Sequence, residues 1–562
     1  MSRQNDNNYT DPIPRRLACT FGILLLLACL FLNQKFLISP YVERPNGKTV
    51  TGNLPPALAL TTVALGPLRG LIANGLWWRI IEQQDEGNFF EIIQLADWIT
   101  VLQPRNAKVW TYQAWNMCYN VAYEFPDPES RWKWIYRAIK LLTGKALGYN
   151  PDNRVIKKEI ARIYFERIGQ TVDKGSNVFQ RNWADMIAKF LPNGSQDELK
   201  QLAEAPETQA ELRKDPAIDK LLKKAADLKL KLLDPKDFYN YENWTDEQKK
   251  LIGGKPGQNA EMLKIDAFLK AKGLEREAGV NPRRMLYIDE QYGPFDWRLY
   301  QAYAVYWAAT GSFEEYTSKK FTSQPMIRQA MQQSFLNGTL IFDPQAGIFV
   351  TTNNFRIIGK LHDYYDYQME HFYTKEADDI HKRFLEQAAA ILYTFNKIEA
   401  AKEVFGHYKE DYSDKDGGLD FDTFIARSLY SILKQDGTTK TDSSLVEGAL
   451  FQAYNWLATG DIQRATGYAN FAKLIWKRNQ KLFAGNPGKL LPPFDDLKAS
   501  VFRKVMGSNI APVFKQRLLK TTEAKSFERM DSKVYLGETV ETGAGHRNFR
   551  KQRSEDAEDE SQ

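Results

Sequence analysis

The densest group of side chains able to do chemistry is HDYYDYQMEH, where His362, Asp366 and Glu370 recur at every fourth residue and His371 follows. On a helix that spacing lines imidazole and carboxylate groups along one face, where a transition metal finds nitrogen and oxygen ligands. The stretch specifies no further donor, and i,i+4 pairs of this kind are ordinary on a solvated helix face. A second group places Asp289, Glu290 and Asp296 just before Trp297, Tyr300, Tyr303, Tyr306 and Trp307. Two carboxylates roughly 5–10 Å apart beside aromatic platforms would cleave a glycan. The same rings, with Tyr303 and Trp307 at i+4, also suit packing between helices, which is the commoner use. Gly47-Lys48-Thr49 has the ending of a phosphate loop, but Val42 stands where the loop's first glycine belongs, and GxGxxG, GxSxG and HExxH are absent. The sequence therefore assigns no catalytic residue, no cofactor and no metal ligand.

Composition narrows the classes further. The 562 residues are 43% hydrophobic and 26% charged, too long a chain for one ordinary core and so either several domains or a stack that grows by repetition. Its 76 basic and 70 acidic residues leave a net charge of +6, too even a balance to coat a nucleic acid, so no nucleic-acid partner is expected. Of three cysteines, Cys19 and Cys29 fall in the apolar N-terminal run, leaving Cys118 alone in the body, with neither a disulfide framework nor a CxxC zinc site.

These groups must be positioned by helices. From Leu71 onward apolar residues recur at helical spacing, and alternating runs bounded by turn pairs are scarce, so the expected fold class is all-α. Leu17 to Leu32 carries no charge and follows Arg15 and Arg16; with the flanking residues to Ile38 it predicts a single transmembrane helix, N-terminus in the cytoplasm. Leu26-Leu27-Ala28-Cys29 also has the form of a loose lipoprotein cleavage box, so a lipid on Cys29 is the rival tether. Leu54 to Leu68, broken by Pro55, Pro56, Gly66 and Pro67, is too short and interrupted for a second span; it either docks on a membrane surface or packs as the first helix of the body.

A helical hairpin cannot bury its face alone, and stacked hairpins leave a period near 34 residues. Around Gly460 the chain reads Ala453, Trp456, Gly460, Ile462, Ala465, Ala469 and Ala472: small residues where helices cross, an aromatic filling the gap, and a glycine to turn. A second set runs Gly87, Phe89, Ile92, Ala96, Ile99 and Pro104, with Trp110 and Ala114 opening the next unit. That unit is interrupted near Glu124 to Trp134 and resumes at Ala146, Tyr149 and Pro151, after which Ile160, Ala161 and Tyr164 begin another. Looser sets occur at Ala304, Trp307, Gly311 and Phe313, and at Ala389, Leu392, Asn396, Ile398, Ala401 and Phe405, where Asn396 tolerates the left-handed turn. On these residues the chain resembles the tetratricopeptide-repeat (TPR) class. The stretch LGPLRGLIANGLWWR, followed by LADWITVLQPRNAKVWTYQAWN, is also similar to a group of uncharacterised bacterial membrane-anchored TPR proteins.

Residues 193–285 change character, turning rich in Lys, Glu and Asp. Pro216 stands where a helix would start, and Ile218, Leu221, Leu222, Ala225, Leu228 and Leu232 form a stripe opposite Lys220, Lys223, Lys224 and Lys231, which predicts a charged helix packed by one face. The expected order is a cytoplasmic leader (1–16), a transmembrane anchor (17–38), a membrane-proximal linker (39–70), N-terminal repeats (71–192), a charged helical insertion (193–285), C-terminal repeats (286–530) and a polar, disordered tail (531–562). The functional expectation is a scaffold in the bacterial inner membrane, its body periplasmic, holding a protein partner or peptide segment of an envelope complex. The alternative is a glycan-binding or glycan-cleaving helical toroid.

Overall fold

The computed structural model describes residues 68–523, apart from 170–172, 254–255, 313–323, 344–347, 373, 413–417, 436–441, 485–489 and 508–511. The chain divides into two compact units, 1–354 and 355–562. Both are helical in their described parts, so the fold is all-α, with one short hairpin of strands as the exception.

The longer helices of the first unit are α1 (Leu68–Asp85), α2 (Phe89–Leu102), α3 (Ala107–Tyr119), α4 (Pro128–Lys140), α5 (Arg154–Arg162), α6 (Ser176–Ile187), α7 (Gln196–Glu204), α8 (Pro216–Asp227), α9 (Ala260–Ala278), α10 (Pro282–Tyr292), α11 (Tyr300–Ser312) and α12 (Gln324–Asn337). Their starts follow from local chemistry. Asp127, Asp215 and Asn281 cap helices whose first residue is proline, which lacks the N–H that would be orphaned there and is already set to a helical φ. Ser195 and Glu198 form a reciprocal capping box at α7. The first four helices pack in sequence order, α1 on α2, α2 on α3 and α3 on α4, as stacked hairpins must.

The charged segment has a core of its own. α8 buries Ile218, Leu221, Leu222 and Ala225 against Phe238, Trp244, Met262, Ile265 and Phe268, while Lys220, Lys223 and Lys224 remain on the exposed side. The stripe outlasts the helix: α8 ends at Asp227, and Leu230 and Leu232 reach the same core from the following turn.

The break between units lies at 354/355, so α10, α11 and α12 belong with the N-terminal helices, α11 packing on α5 and α12. After α12, β1 (Thr339–Asp343) pairs antiparallel with β2 (Ile348–Thr352), Ile341 opposite Val350. β-Branched and aromatic residues flanking Asp-Pro-Gln-Ala-Gly explain this local departure from helix. One face of the hairpin packs Leu340, Phe342 and Phe349 near Ala184 and Leu299.

The second unit contains α13 (Ile358–Phe372), α14 (Lys375–Thr394), α15 (Ile398–Tyr412), α16 (Phe421–Gln435), α17 (Asp442–Thr459), α18 (Ile462–Leu482), α19 (Phe494–Gly507) and α20 (Pro512–Glu523). Its main hairpins are α14–α15 and α17–α18, with α18 also packed on α14.

The expected leader 1–16, anchor 17–38 with Cys19 and Cys29, linker 39–70 up to Pro67 and tail 531–562 lie outside the described residues. The expected placement as a single-pass inner-membrane protein with a periplasmic body is corrected: among the described residues no helix is long and apolar enough to cross a membrane. Even α18, 21 residues long, carries Arg464, Lys473, Lys477, Arg478 and Lys481. Each such charge costs about 2.5–3.5 kcal/mol at the centre of a bilayer.

Candidate functional site

The carboxylates that sequence places beside the aromatic run serve packing. Asp289 is 2% exposed, and its Oδ1 accepts from the Phe295 N–H and the Trp297 indole N–H, both at 2.9 Å. Glu290, next along α10, faces solvent. Asp296 forms a buried pair with Arg298 at 2.7 Å and also accepts from the Leu340 N–H at 3.0 Å. Arg298 in turn donates to the carbonyls of Pro192 and Leu340 at 2.8 and 2.9 Å. This pair thus saturates both backbone groups of Leu340 in β1 and ties the hairpin to the loop before α7.

Of the rings, Trp297 and Tyr303 are fully buried, and Tyr300, Tyr306 and Trp307 are nearly so. Tyr303 lies edge-on to Trp183 at 4.7 Å between ring centres and stacked on Tyr164 at 5.2 Å. Burial pushes the Tyr164 and Tyr303 phenols well above their usual range. A ring enclosed by other rings offers no face to a sugar.

The histidine group is divided by the fold. Glu370 and His371 sit on the surface of α13, His371 Nδ1 lying 3.0 Å from the Tyr367 carbonyl. His362, partnered at 3.5 Å by Asp366, turns inward and meets two histidines from other helices: His407 of α15 at 3.9 Å between ring centres and His381 of α14 at 5.7 Å. His381 is fully buried, with Nδ1 3.2 Å from the Tyr412 hydroxyl and 3.8 Å from Asp411. Sequence reading missed His381 and His407 because no periodicity links residues on three separate helices. Among the described residues no group of three His, Cys, Asp or Glu side chains is arranged to hold a metal ion. The cavity beside His362 and His407, walled by Ile358, Glu403 and Val404, measures about 20 Å³. That is space for one water molecule, not an organic substrate.

The repeat residues fall mainly at turns and crossings. Gly87 (φ +75°) turns the chain between α1 and α2, Asn396 (φ +58°) between α14 and α15, and Gly460 (φ +94°) between α17 and α18. Ala96, Ala114, Ala146, Ala304, Ala389, Ala401, Ala453, Ala465 and Ala472 are fully buried. The Pro104 carbonyl accepts from the Trp110 indole at 2.8 Å and from the Asn150 side chain at 2.9 Å, joining successive hairpins. Tyr164 lies in a π-helical turn, Ile163–Gly169, Trp307 and Gly311 lie on α11, and Pro151 is exposed before α5. Trp456 is half-buried beneath the Arg464 guanidinium, 4.2 Å above its ring. Sequence reading overlooked Gly467, the closest approach among the described glycines: a Cβ there would lie 1.6 Å from the Thr394 carbonyl oxygen.

α2 turns Phe90, Trp98 and Val101 outward, each about half exposed. Phe90 meets Trp134 of α4 edge-on at 5.8 Å, Phe125 lies 6.3 Å from Trp134, and the exposed Arg137 lays its guanidinium 4.8 Å above the Trp134 ring. An arginine stacked on partly exposed aromatics has the composition of a protein-binding hot spot. The signal was present in sequence as Arg131-Trp-Lys-Trp-Ile-Tyr-Arg137, but only folding joins it to Phe90. No family model, curated protein or solved structure matches this chain.

Proposed function

We infer that this chain is a TPR-like scaffold of stacked helical hairpins that holds another protein. The aromatic cluster of Phe90, Phe125, Trp134 and Arg137 carries the reading, and Trp98 and Val101 are exposed further along α2. Partly exposed large rings supply contact area at low entropic cost, and Arg137 adds a directional charge. The succession α1–α2–α3–α4, the left-handed turns at Gly87, Asn396 and Gly460, and the buried alanines at crossings support the repeat assignment. Of the carboxylates that would otherwise argue for glycan cleavage, Asp289 and Asp296 are engaged in holding the fold together.

The test is crosslinking and affinity capture of the full chain from its native cells, comparing the parent with a Trp98→Ala/Trp134→Ala variant whose circular dichroism is unchanged. Truncating a hot-spot aromatic costs about 2 kcal/mol or more, so a reproducible partner recovered by the parent should fall by at least tenfold. Equal recovery by both, or no partner in either, removes the proposal.

A further inference from the structure

The fold treats the two edges of the β1–β2 hairpin differently. In an antiparallel pair, residues whose N–H and C=O bond to the partner strand alternate with residues whose groups point away from it. Both backbone groups of Leu340 are engaged from outside the hairpin, the N–H by Asp296 at 3.0 Å and the carbonyl by Arg298 at 2.9 Å. Leu340 and its partner Thr351 are therefore a pair of the second kind, and Phe342 with Phe349, two residues on, is the next. The buried Asp296–Arg298 pair closes the outer edge of β1 at Leu340. On β2 the corresponding groups of Phe349 and Thr351 point to the opposite edge, and among the described residues no hydrogen bond joins them to another element. α12 is tied on beyond the end of the strand, where the Asn353 side chain and the Asn354 N–H donate to the Phe335 carbonyl at 3.3 and 3.1 Å.

An edge with unused N–H and C=O groups is a template for another strand, and proteins ordinarily protect one with lysine, proline or a bulge. β2, Ile348-Phe-Val-Thr-Thr352, carries no charge and no proline, and it pairs with β1 in unbroken register. On the hairpin face turned away from the core, Ile341 and Val350 stand opposite each other, 55% and 52% exposed. We propose that this edge of β2 binds an extended peptide segment of a partner protein, which adds as a third strand. The main chain of that segment exchanges hydrogen bonds with Phe349 and Thr351, and a β-branched residue lies beside Val350, lengthening the row that Ile341 and Val350 begin. The backbone groups on offer recur every second residue, roughly 7 Å apart along one straight edge. An extended chain matches that spacing, whereas a helix uses its own N–H and C=O groups internally. A five-residue strand spans roughly 17 Å. One such edge supplies a small part of the roughly 1,200–2,000 Å² buried in a stable protein–protein interface, which favours a peptide over a second copy of the chain. The edge is separate from the aromatic cluster of α2 and α4, and the proposal does not rest on that cluster.

The experiment titrates the full chain with a fluorescein-labelled peptide, Lys-Thr-Val-Thr-Val-Thr-Lys, and reads binding by fluorescence anisotropy. Two further peptides carry N-methyl groups, one on its three threonines and one on its two valines. A strand added to one edge turns only alternate N–H groups towards β2, so one methylated peptide should bind like the parent and the other at least about tenfold more weakly. Thr351→Pro removes an outward N–H that the hairpin does not use, and Val350→Lys sets a charge beside the added strand. Each should weaken the parent peptide at least about tenfold, with the limited-proteolysis pattern of the hairpin unchanged. Hydrogen exchange within residues 348–352 should slow severalfold when the parent peptide is bound. Absence of saturable binding up to millimolar peptide, equal binding of the two methylated peptides, or unchanged binding to Val350→Lys would overturn the proposal. A chain that ignores the peptide but forms a dimer abolished by Val350→Lys would assign the edge to a second copy, and would overturn it equally.

Discussion

Removing the Asp296 carboxylate gives the sharpest separation between a structural and a catalytic role. Its oxygens accept from the Arg298 backbone N–H at 3.1 Å, from Arg298 Nε and Nη2 at 2.9 and 2.7 Å, and from the Leu340 N–H at 3.0 Å. In Asp296→Ala the guanidinium of Arg298, whose side chain is 9% exposed, keeps only the carbonyls of Pro192 and Leu340. Stranding one partner of a buried ion pair costs about 3–5 kcal/mol. The Leu340 N–H also loses its acceptor, worth about 1–3 kcal/mol by itself, though the two losses share one site and do not add. We expect a loss of about 4 kcal/mol, concentrated in the hairpin and the loop before α7. Because the chain has two units and need not unfold in one step, the suitable assay is urea-gradient pulse proteolysis, with cleavages in residues 192–354 located by mass spectrometry. Asp296→Ala/Arg298→Met should recover part of the loss, since no charge is then stranded. A loss below about 1 kcal/mol for the single variant, or a double variant weaker than the single, would refute the structural role. A stable Asp296→Asn protein that lost a glycan-cleaving activity would restore the carboxylate to chemistry.

Gly467→Ala should destabilise the second unit by at least about 1–3 kcal/mol, because its Cβ would meet Thr394 backbone rather than a movable side chain; denaturant titration of the variant checks this, and an unchanged midpoint would deny the close crossing of α14 and α18. Alkali should destabilise both units, Tyr306 lying in the first and Tyr393 in the second. Burial pushes the Tyr306 and Tyr393 phenols up to about 12, against an ordinary value of about 10, so the unfolded chain ionises first. Their contribution to stability is complete below about pH 10 and is lost as the pH rises through about 12. A late step of tyrosinate absorbance above about pH 10 should therefore coincide with loss of near-ultraviolet circular dichroism, whereas complete titration of all the tyrosines near pH 10 with the fold intact would contradict the burial.

Helical class was legible because its signal is local. The stripe on α8 and the proline at its first position, the left-handed turn residue Asn396 and the glycines at 87 and 460 all act within a few residues of themselves. The strand hairpin was missed because its two five-residue strands are brief against a helical background, and its pairing depends on a clamp from Asp296 and Arg298 far away in sequence. The aromatic face was present as residues but not as a surface, since Phe90 and Trp134 meet only when α2 and α4 come together.

The amino-acid sequence by itself determined where helices start, turn and bury small residues, because caps, glycine conformations and apolar spacing are properties of neighbouring residues. Tertiary structure alone decided the fate of the chemical groups. It drew His362 towards His381 and His407 and left Glu370 and His371 outside, enclosed Tyr303 among other rings, and spent Asp289 and Asp296 on indole and backbone partners. A side chain's role depends on what long-range packing sets against it and how much water that packing removes, and neither is written in residue spacing.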